Sequence, residues 1–195
     1  MTEYAFEKGK HNAKPNQSIC PRFGVRGFTG SFKLDLSCWF GKDEWEGDSD
    51  YYDWNFKIMG ISSYFSRNNR TSAIIAARPI DEPGKFIVTG YTNDGKGRFR
   101  TGQHTEAIGV LVVEAEQEVE VDVRLSKGNF FRPDRVQYEL KTDANSIYIE
   151  HQFRIPFHRI FREIGSWFGG ADSNNNGIGG VPHKDMHYQA QMKVK

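Results

Sequence analysis

Tyr148, Glu150, Gln152 and Arg154 alternate with Ile147, Ile149, His151 and Phe153 near the end of the chain. On an extended backbone, alternate residues share a face and stand about 7 Å apart. Tyr148, Gln152 and Arg154 would then span roughly 20 Å, comparable to a short oligosaccharide. Tyrosine offers a stacking ring, and glutamine and arginine offer forked donors for hydroxyls or carboxylates. The row is a candidate ligand-binding surface, with a plain solvated face as the alternative. Trp45 and Trp167, like Trp39, Tyr51 and Tyr52, sit near loops. Their amphipathic rings suit sugar stacking and edge packing equally.

A second candidate is the loop GGADSNNNGIGG, where Asp172, Asn174 and Asn176 alternate and Gly177 follows. That matches the first half of a calcium loop, but His183 stands where a bidentate glutamate is expected. Such a loop would hold calcium weakly, and no other cofactor is expected. An Asn- and Gly-rich surface turn is the competing reading. His183 and His187 could share a metal on a helix. On the strand expected there, they lie about 13 Å apart. His151 shares the apolar phase of its strand and reads as a core histidine with its hydrogen bond satisfied. The chain carries no GxSxG, P-loop, strand-linked GxGxxG or HExxH motif.

The elements that must carry these residues read as strands. Phe32, Leu34, Leu36, Cys38 and Phe40 share one phase, which predicts a half-buried strand over 32–40. Trp54, Phe56 and Ile58 alternate likewise over 54–60. TSAIIAARPI (71–80) is a continuous apolar run, suiting a strand buried on both faces. Strands are also expected over 85–91, 107–115, 118–125, 135–141, 146–157, 160–168 and 186–194. In 118–125, Val119, Val121, Val123 and Leu125 should face the core. DEPG (81–84) and NDGKG (93–97) are turn signatures. Residues 1–31 read as a polar N-terminal arm or lead-in, and 32–195 as one domain.

Composition agrees. Ile, Val, Phe, Tyr, Trp and Thr number 60, against 19 for Leu, Ala and Met. The first group packs well on pleated surfaces, and the second loses little freedom in helices. About ten strands with short connections indicate an all-β, two-sheet antiparallel sandwich of jelly-roll or concanavalin-like type. Lys and Arg number 26 against 25 Asp and Glu, which argues against a nucleic-acid partner held by bulk charge. No apolar stretch of 18 residues is present, so membrane insertion is not expected. Two cysteines, Cys20 and Cys38, form no framework, although a single bridge between them stays open. The first residues lack the apolar core of a signal peptide, so no localisation follows.

Four segments carry a resemblance: DWNFKIMG (53–60), NNRTSAIIAAR (68–78), KFIVTGY (85–91) and EIGSWFGGADSNNNGIGGVPHKDM (163–186). In this order they resemble a group of uncharacterised jelly-roll proteins of Bacteroidetes and their phages. That group carries an Asp-x-Asn-Lys-Leu-x-Gly block, an Asn-Ser-Ala-Arg block and a terminal Tyr-Phe-Gly-Gly … Ala-Pro-His-Asp block. Here Phe56 is inserted between Asn55 and Lys57, Ile74 replaces the arginine, and Trp167 replaces the tyrosine. Val181-Pro182-His183-Lys184-Asp185 stands for Ala-Pro-His-Asp after a longer loop. The resemblance implies a sandwich, similar in outline to concanavalin-like lectins and polysaccharide lyases, and implies no activity.

Three functions fit. The preferred one is a non-catalytic carbohydrate-binding or surface-recognition module, with a glycan or polysaccharide as partner. The second is a structural virion or appendage protein that assembles with copies of itself. The third is a polysaccharide lyase or glycosidase. A lyase needs a cation or amide to neutralise a uronate carboxylate and a Tyr or His as base. Tyr148, Gln152, Arg154, Arg78 and Tyr91 are candidates for those roles. A glycosidase needs two facing carboxylates, for which Asp35 and Glu150 are the candidates.

Overall fold

The computed structural model describes residues 1–15, 21–45, 55–64, 71–94, 99–100, 109–129, 133–154, 160–169 and 181–195. Among the described residues, fourteen strands form two antiparallel sheets and no α-helix occurs. The first sheet contains β1 (Thr2–Phe6), β14 (Met186–Val194), β3 (Gly27–Leu34), β9 (Val119–Ser126), β10 (Arg135–Lys141) and β11 (Ser146–Gln152), in that spatial order. The second contains β2 (Pro21–Phe23), β12 (Ile160–Ile164), β4 (Phe56–Ser63), β5 (Thr71–Pro79), β6 (Lys85–Asp94) and β7 (Phe99–Arg100). To that sheet β13 (Trp167–Phe168) adds by pairing with β4, and β8 (Leu111–Glu114) by pairing with β6. The architecture is the expected two-sheet sandwich of jelly-roll type.

Alternation sorts the two faces of each sheet. In β9, Val119, Val121 and Val123 are buried, and Leu125 packs partly against the same core. Glu118, Glu120 and Arg124 are exposed. From the facing sheet come Phe56, Ile58, Ile61, Ala73, Ile75, Ala77, Phe86 and Val88. Every residue of β4 and β5 is buried, so the apolar run 71–79 is covered on both faces.

The segment read as an arm is built into the sheets. β1 pairs with β14, placing Thr2 opposite Ala190 and Phe6 opposite Met186. The Phe6 ring stacks 5.2 Å from Tyr188 and lies 5.8 Å from Phe168, so the N-terminal strand supplies part of the core. Of the segment's polar residues, Thr2 and Glu3 lie on this strand and both are exposed.

The strand expected over 32–40 stops at Leu34. Leu36–Cys38 form a single 3-10 turn, capped where Asp35 Oδ1 accepts from Ser37 N at 2.7 Å. Burial alone would raise the Asp35 carboxyl, but the Ser37 hydrogen bonds hold it below the usual carboxylate range. Leu36, in phase with the core residues, is instead 60% exposed. Cys38 is a buried free thiol that donates to His187 O, and burial pushes its pKa up. Cys20 lies outside the described residues. The expected strand 146–157 ends at Gln152, and 160–168 is split by Gly165 and Ser166 into β12 and β13.

One contact fixes the distance between sheets. Tyr138, fully buried on β10, lays its ring over Gly90 of β6. Its hydroxyl donates to Tyr91 O at 3.1 Å and meets Thr92 Oγ1 at 2.6 Å. Thr92 Oγ1 in turn lies 2.8 Å from His151 Nδ1 on β11. With Tyr138 donating to the carbonyl, Thr92 donates to Tyr138 and His151 donates through Nδ1–H. A Cβ at position 90 would lie 2.4 Å from Cγ of the Tyr138 ring. Gly90→Ala is therefore expected to cost about 3 kcal/mol or more by forcing the sheets apart. Urea unfolding of the variant checks this, and a midpoint within error of the parent would contradict the packing argument.

Candidate functional site

The residues expected to form a ligand row on β11 do not make one continuous surface. Tyr148 is 61% exposed on this edge strand. Glu150 accepts from Arg135 Nη1 and Gln137 Nε2, each at 2.9 Å, and so is tied to β10. Gln152 is exposed at the strand's last position. Arg154 lies past the strand end, where its backbone N donates to Asp94 O at 2.8 Å. Its Nε stands 3.0 Å from Asp94 Oδ2, a fully buried carboxylate of β6. Arg154 therefore links the sheets and is not aligned with Tyr148.

The other candidates divide. Trp45 stacks on Phe40 at 5.0 Å and lies 6.2 Å from Phe168, so it extends the aromatic core. His183 stands edge-on to Phe40 at 5.2 Å and belongs to the same cluster. Asp35 caps the turn after β3, whereas Glu150 on β11 is level with Gly27 at the other end of β3, three strands across and eight residues along, roughly 30 Å away. That exceeds the spacing of a glycosidase pair. Asp172, Asn174 and Asn176 lie outside the described residues. The outer face of the first sheet holds an open groove of 720 Å³ lined by Thr29, Glu120, Glu139, Lys141, Gln191 and Lys193. Around it, Asp122 is paired with Arg124 and Lys195, and Glu118 with Lys33, as on an ordinary charged surface.

Trp167 leads to a different surface. It stands opposite Lys57 in the β13–β4 pairing, and Lys57 is opposite Ala76 of β5, which is opposite Thr89 of β6. These residues point away from the core, because their neighbours Phe56, Ala77 and Val88 are in it. The next row toward the β12 side is Ile164, Gly60, Ile74 and Tyr91. Beyond it run Arg162, Ser62, Ser72 and Asn93. On the other side, Arg78 stands opposite Ile87.

This outer face is buried and mixed: Ala76 and Ile87 form a small apolar cluster with Ile80, Tyr91 and Val110, and polar side chains surround it. Lys57 is 4% exposed and Arg78 6%. Lys57 Nζ donates to Gly169 O at 2.6 Å and is flanked by two rings, 5.2 Å from the Trp167 centroid and 5.6 Å from that of Tyr91. A cation between aromatic faces is held by their quadrupoles. Arg78 Nη1 donates to Pro79 O. Arg162 Nε donates to Ser62 Oγ at 3.0 Å, and Asn93 Nδ2 to Ser72 Oγ at 2.7 Å. The strands β12, β4, β5 and β6 place no described aspartate or glutamate on this face: Glu163 and Asp94 fall on the core-side phase.

Arg78 and Tyr91, named from sequence as candidates for a lyase, are thus on one face, with Trp167. Lys57, Arg162, Asn93 and Asn55 join them unannounced. The available signal was phase: Asn55 and Lys57 alternate with Trp54, Phe56 and Ile58, and Arg78 is the lone charge in the run 71–80.

No protein-family model and no curated protein sequence matches the chain. Among solved structures it is similar to an alginate lyase from a Chlorella virus, at 11% identity and a TM-score of 0.48, covering 99% of this chain and 84% of that one. It is also similar to a glycosidic hydrolase, at 9% identity and a TM-score of 0.44, over 99% of this chain and 76% of that one. A functionally unknown protein from Saccharomyces cerevisiae gives 10% identity and 0.43, over 91% and 73%. At these values the likenesses carry nothing about activity.

The contrast on β11 is testable. Tyr148→Ala should change stability by less than about 0.5 kcal/mol, as at an exposed surface position. Arg154→Ala should cost about 1–3 kcal/mol by removing a charged partner from buried Asp94. Chemical denaturation of the two variants side by side checks the difference; equal midpoints would contradict it.

Proposed function

We propose that the protein is a carbohydrate-binding β-sandwich whose ligand lies over Trp167, Lys57, Arg78 and Tyr91, and that its ligands are acidic glycans. What supports this reading is a sheet face that gathers Lys57, Arg78 and Arg162 beside the rings of Trp167 and Tyr91, with Lys57 Nζ 5.2 Å and 5.6 Å from the two ring centroids. A carboxylated sugar chain offers anions at regular intervals, and its C–H faces stack on aromatic rings such as Trp167 and Tyr91. Guanidinium matches a carboxylate in two parallel hydrogen bonds, and lysine adds a point charge.

The same constellation favours a second reading, a uronate lyase. Tyr91 is a phenol close to a cation, 5.6 Å from Lys57 Nζ to its ring centroid. In β-elimination, Arg78 would neutralise the carboxylate and so acidify the neighbouring C–H. Tyr91, as the phenolate, would take that proton and deliver it to the glycosidic oxygen as the C–O bond breaks, leaving a carbon–carbon double bond conjugated to the carboxylate.

Titration with a polyuronate and with neutral dextran separates these ideas. The parent protein should bind the polyuronate and ignore the dextran. Arg78→Gln and Lys57→Met should each weaken binding about tenfold, or about 1.4 kcal/mol. Unchanged affinity in both variants would dismiss this face. Growth of the conjugated product's ultraviolet absorbance during incubation, lost in Tyr91→Phe, would favour the lyase; its absence with binding intact would favour the binding module.

A further inference from the structure

An open sandwich leaves sheet edges, and an unpaired edge is a template for another strand. Among the described residues, most of these edges are short or covered. β1 is covered at Ala5, which exchanges backbone hydrogen bonds with Lys14, each of 2.8 Å. β2 has three residues and begins with Pro21, which has no N–H to offer. On the far side of the second sheet, β7 has two residues and β8 four. β11 is the exception, with seven residues at the end of the first sheet. It contains no Lys, Arg or Pro, and its one carboxylate, Glu150, is offset by Arg135 Nη1 at 2.9 Å.

The hairpin fixes which backbone groups face outward. Thr142 N donates to Asn145 O at 2.8 Å where β10 turns into β11, and Phe153 N donates to Asp134 O at 2.9 Å at the other end. Hydrogen-bonded pairs alternate along an antiparallel ladder. Between those two bonds, Ile147, Ile149 and His151 therefore bond to Leu140, Tyr138 and Val136 of β10. The backbone N–H and C=O groups of Ser146, Tyr148, Glu150 and Gln152 point off the sheet, where no described strand meets them. All four of these residues are exposed.

We infer that β11 pairs antiparallel with β11 of a second copy of this chain, about a twofold axis through Ile149. A twofold contact sets the same patch on both copies, so the patch must complement itself. Outward groups must meet outward groups, which joins even-numbered positions to even-numbered ones. With the axis at Ile149, Tyr148 meets the second copy's Glu150, and Ser146 meets the second copy's Gln152. All four outward residues are then used, giving about eight backbone hydrogen bonds. The Tyr148 hydroxyl brings a donor toward a carboxylate, and Ser146 and Gln152 each donate and accept. An axis at Glu150 sets two carboxylates against each other, and one at Tyr148 leaves Gln152 unmatched. The pairing is independent of the ligand proposed for the second sheet.

Sedimentation velocity over a concentration series reaching about 1 mM reads the association, which is weak because one strand pair buries less than a standard interface. The parent should pass from monomer to dimer along the series. Tyr148→Pro should weaken the dimer about tenfold or more. Proline there removes an N–H that β10 does not use, so the ladder within the chain is kept. A parent that stays monomeric overturns the inference, and so does an undiminished dimer of a folded Tyr148→Pro. A mixing experiment tests the register, and decides alone if that variant fails to fold. Ser146→Cys and Gln152→Cys are prepared separately, each with Cys20→Ser; Cys38 is buried. Opposed positions of a hydrogen-bonded pair lie about 5.5 Å apart at Cα, within disulfide reach. Under mild oxidation the mixture should form covalent dimers at least about tenfold faster than either variant alone. Equal rates overturn the axis at Ile149 and the inference with it.

Discussion

The clamp of Tyr138 over Gly90 sets β6, and through its pairing with β5 the rest of the second sheet, against the first. A sandwich core is held by many non-directional contacts, which tolerate sliding. The Tyr138 ring fits only where β6 has no Cβ, and its hydroxyl is committed to Tyr91 O and Thr92 Oγ1. These bonds fix β6 both laterally and along its length. Burial raises the Tyr138 pKa, so the hydroxyl stays protonated and the donor to Tyr91 O is kept. Since Tyr91 is gripped by its backbone from the core side, its ring is presented on the far side, toward Lys57.

The two faces of β4 and β5 perform different tasks with the same burial. Inward, Phe56, Ile58, Ile75 and Ala77 fill the sandwich. Outward, Lys57, Arg78, Ser62 and Ser72 are equally withdrawn from water but are polar. Groups of this kind gain from low local dielectric whatever opposite charge they meet, and lose by it when unmet. The aromatic rings beside Lys57 moderate that cost without cancelling the charge. Within the protein, Lys57 donates to Gly169 O, Arg78 to Pro79 O, and Ser72 accepts from Asn93.

The sequence made the sandwich readable because solvent marks one phase of a half-buried strand. β9 shows this, with Val119, Val121 and Val123 against Glu118, Glu120 and Arg124. Where that contrast is missing, reading fails. Leu36 kept the apolar phase of β3, but Asp35 and Ser37 form a local cap that turns the chain before Leu36 can point inward. Arg154 kept the polar phase of β11, yet serves Asp94 on the opposite sheet, a partner 60 positions away in the chain that no local pattern announces. Arg78 and Tyr91 were recognisable as chemically able residues. Their union with Lys57 and Trp167 depends on the β13–β4–β5–β6 registers, which are non-local.

The placement of β14 sets the order in which the protein can be made. In the first sheet it lies between β1 and β3, so the earliest strand of the chain and the third are joined only through the last. During synthesis from the N-terminus, β1 leaves the ribosome with no neighbour to pair with. Phe6, whose ring completes the aromatic core beside Tyr188, waits exposed until residues 186–194 emerge. Non-local closure of this type is slow, and it leaves strand edges open to wrong partners in the meantime. Both β1 and β3 thus wait on β14 for a partner on that side.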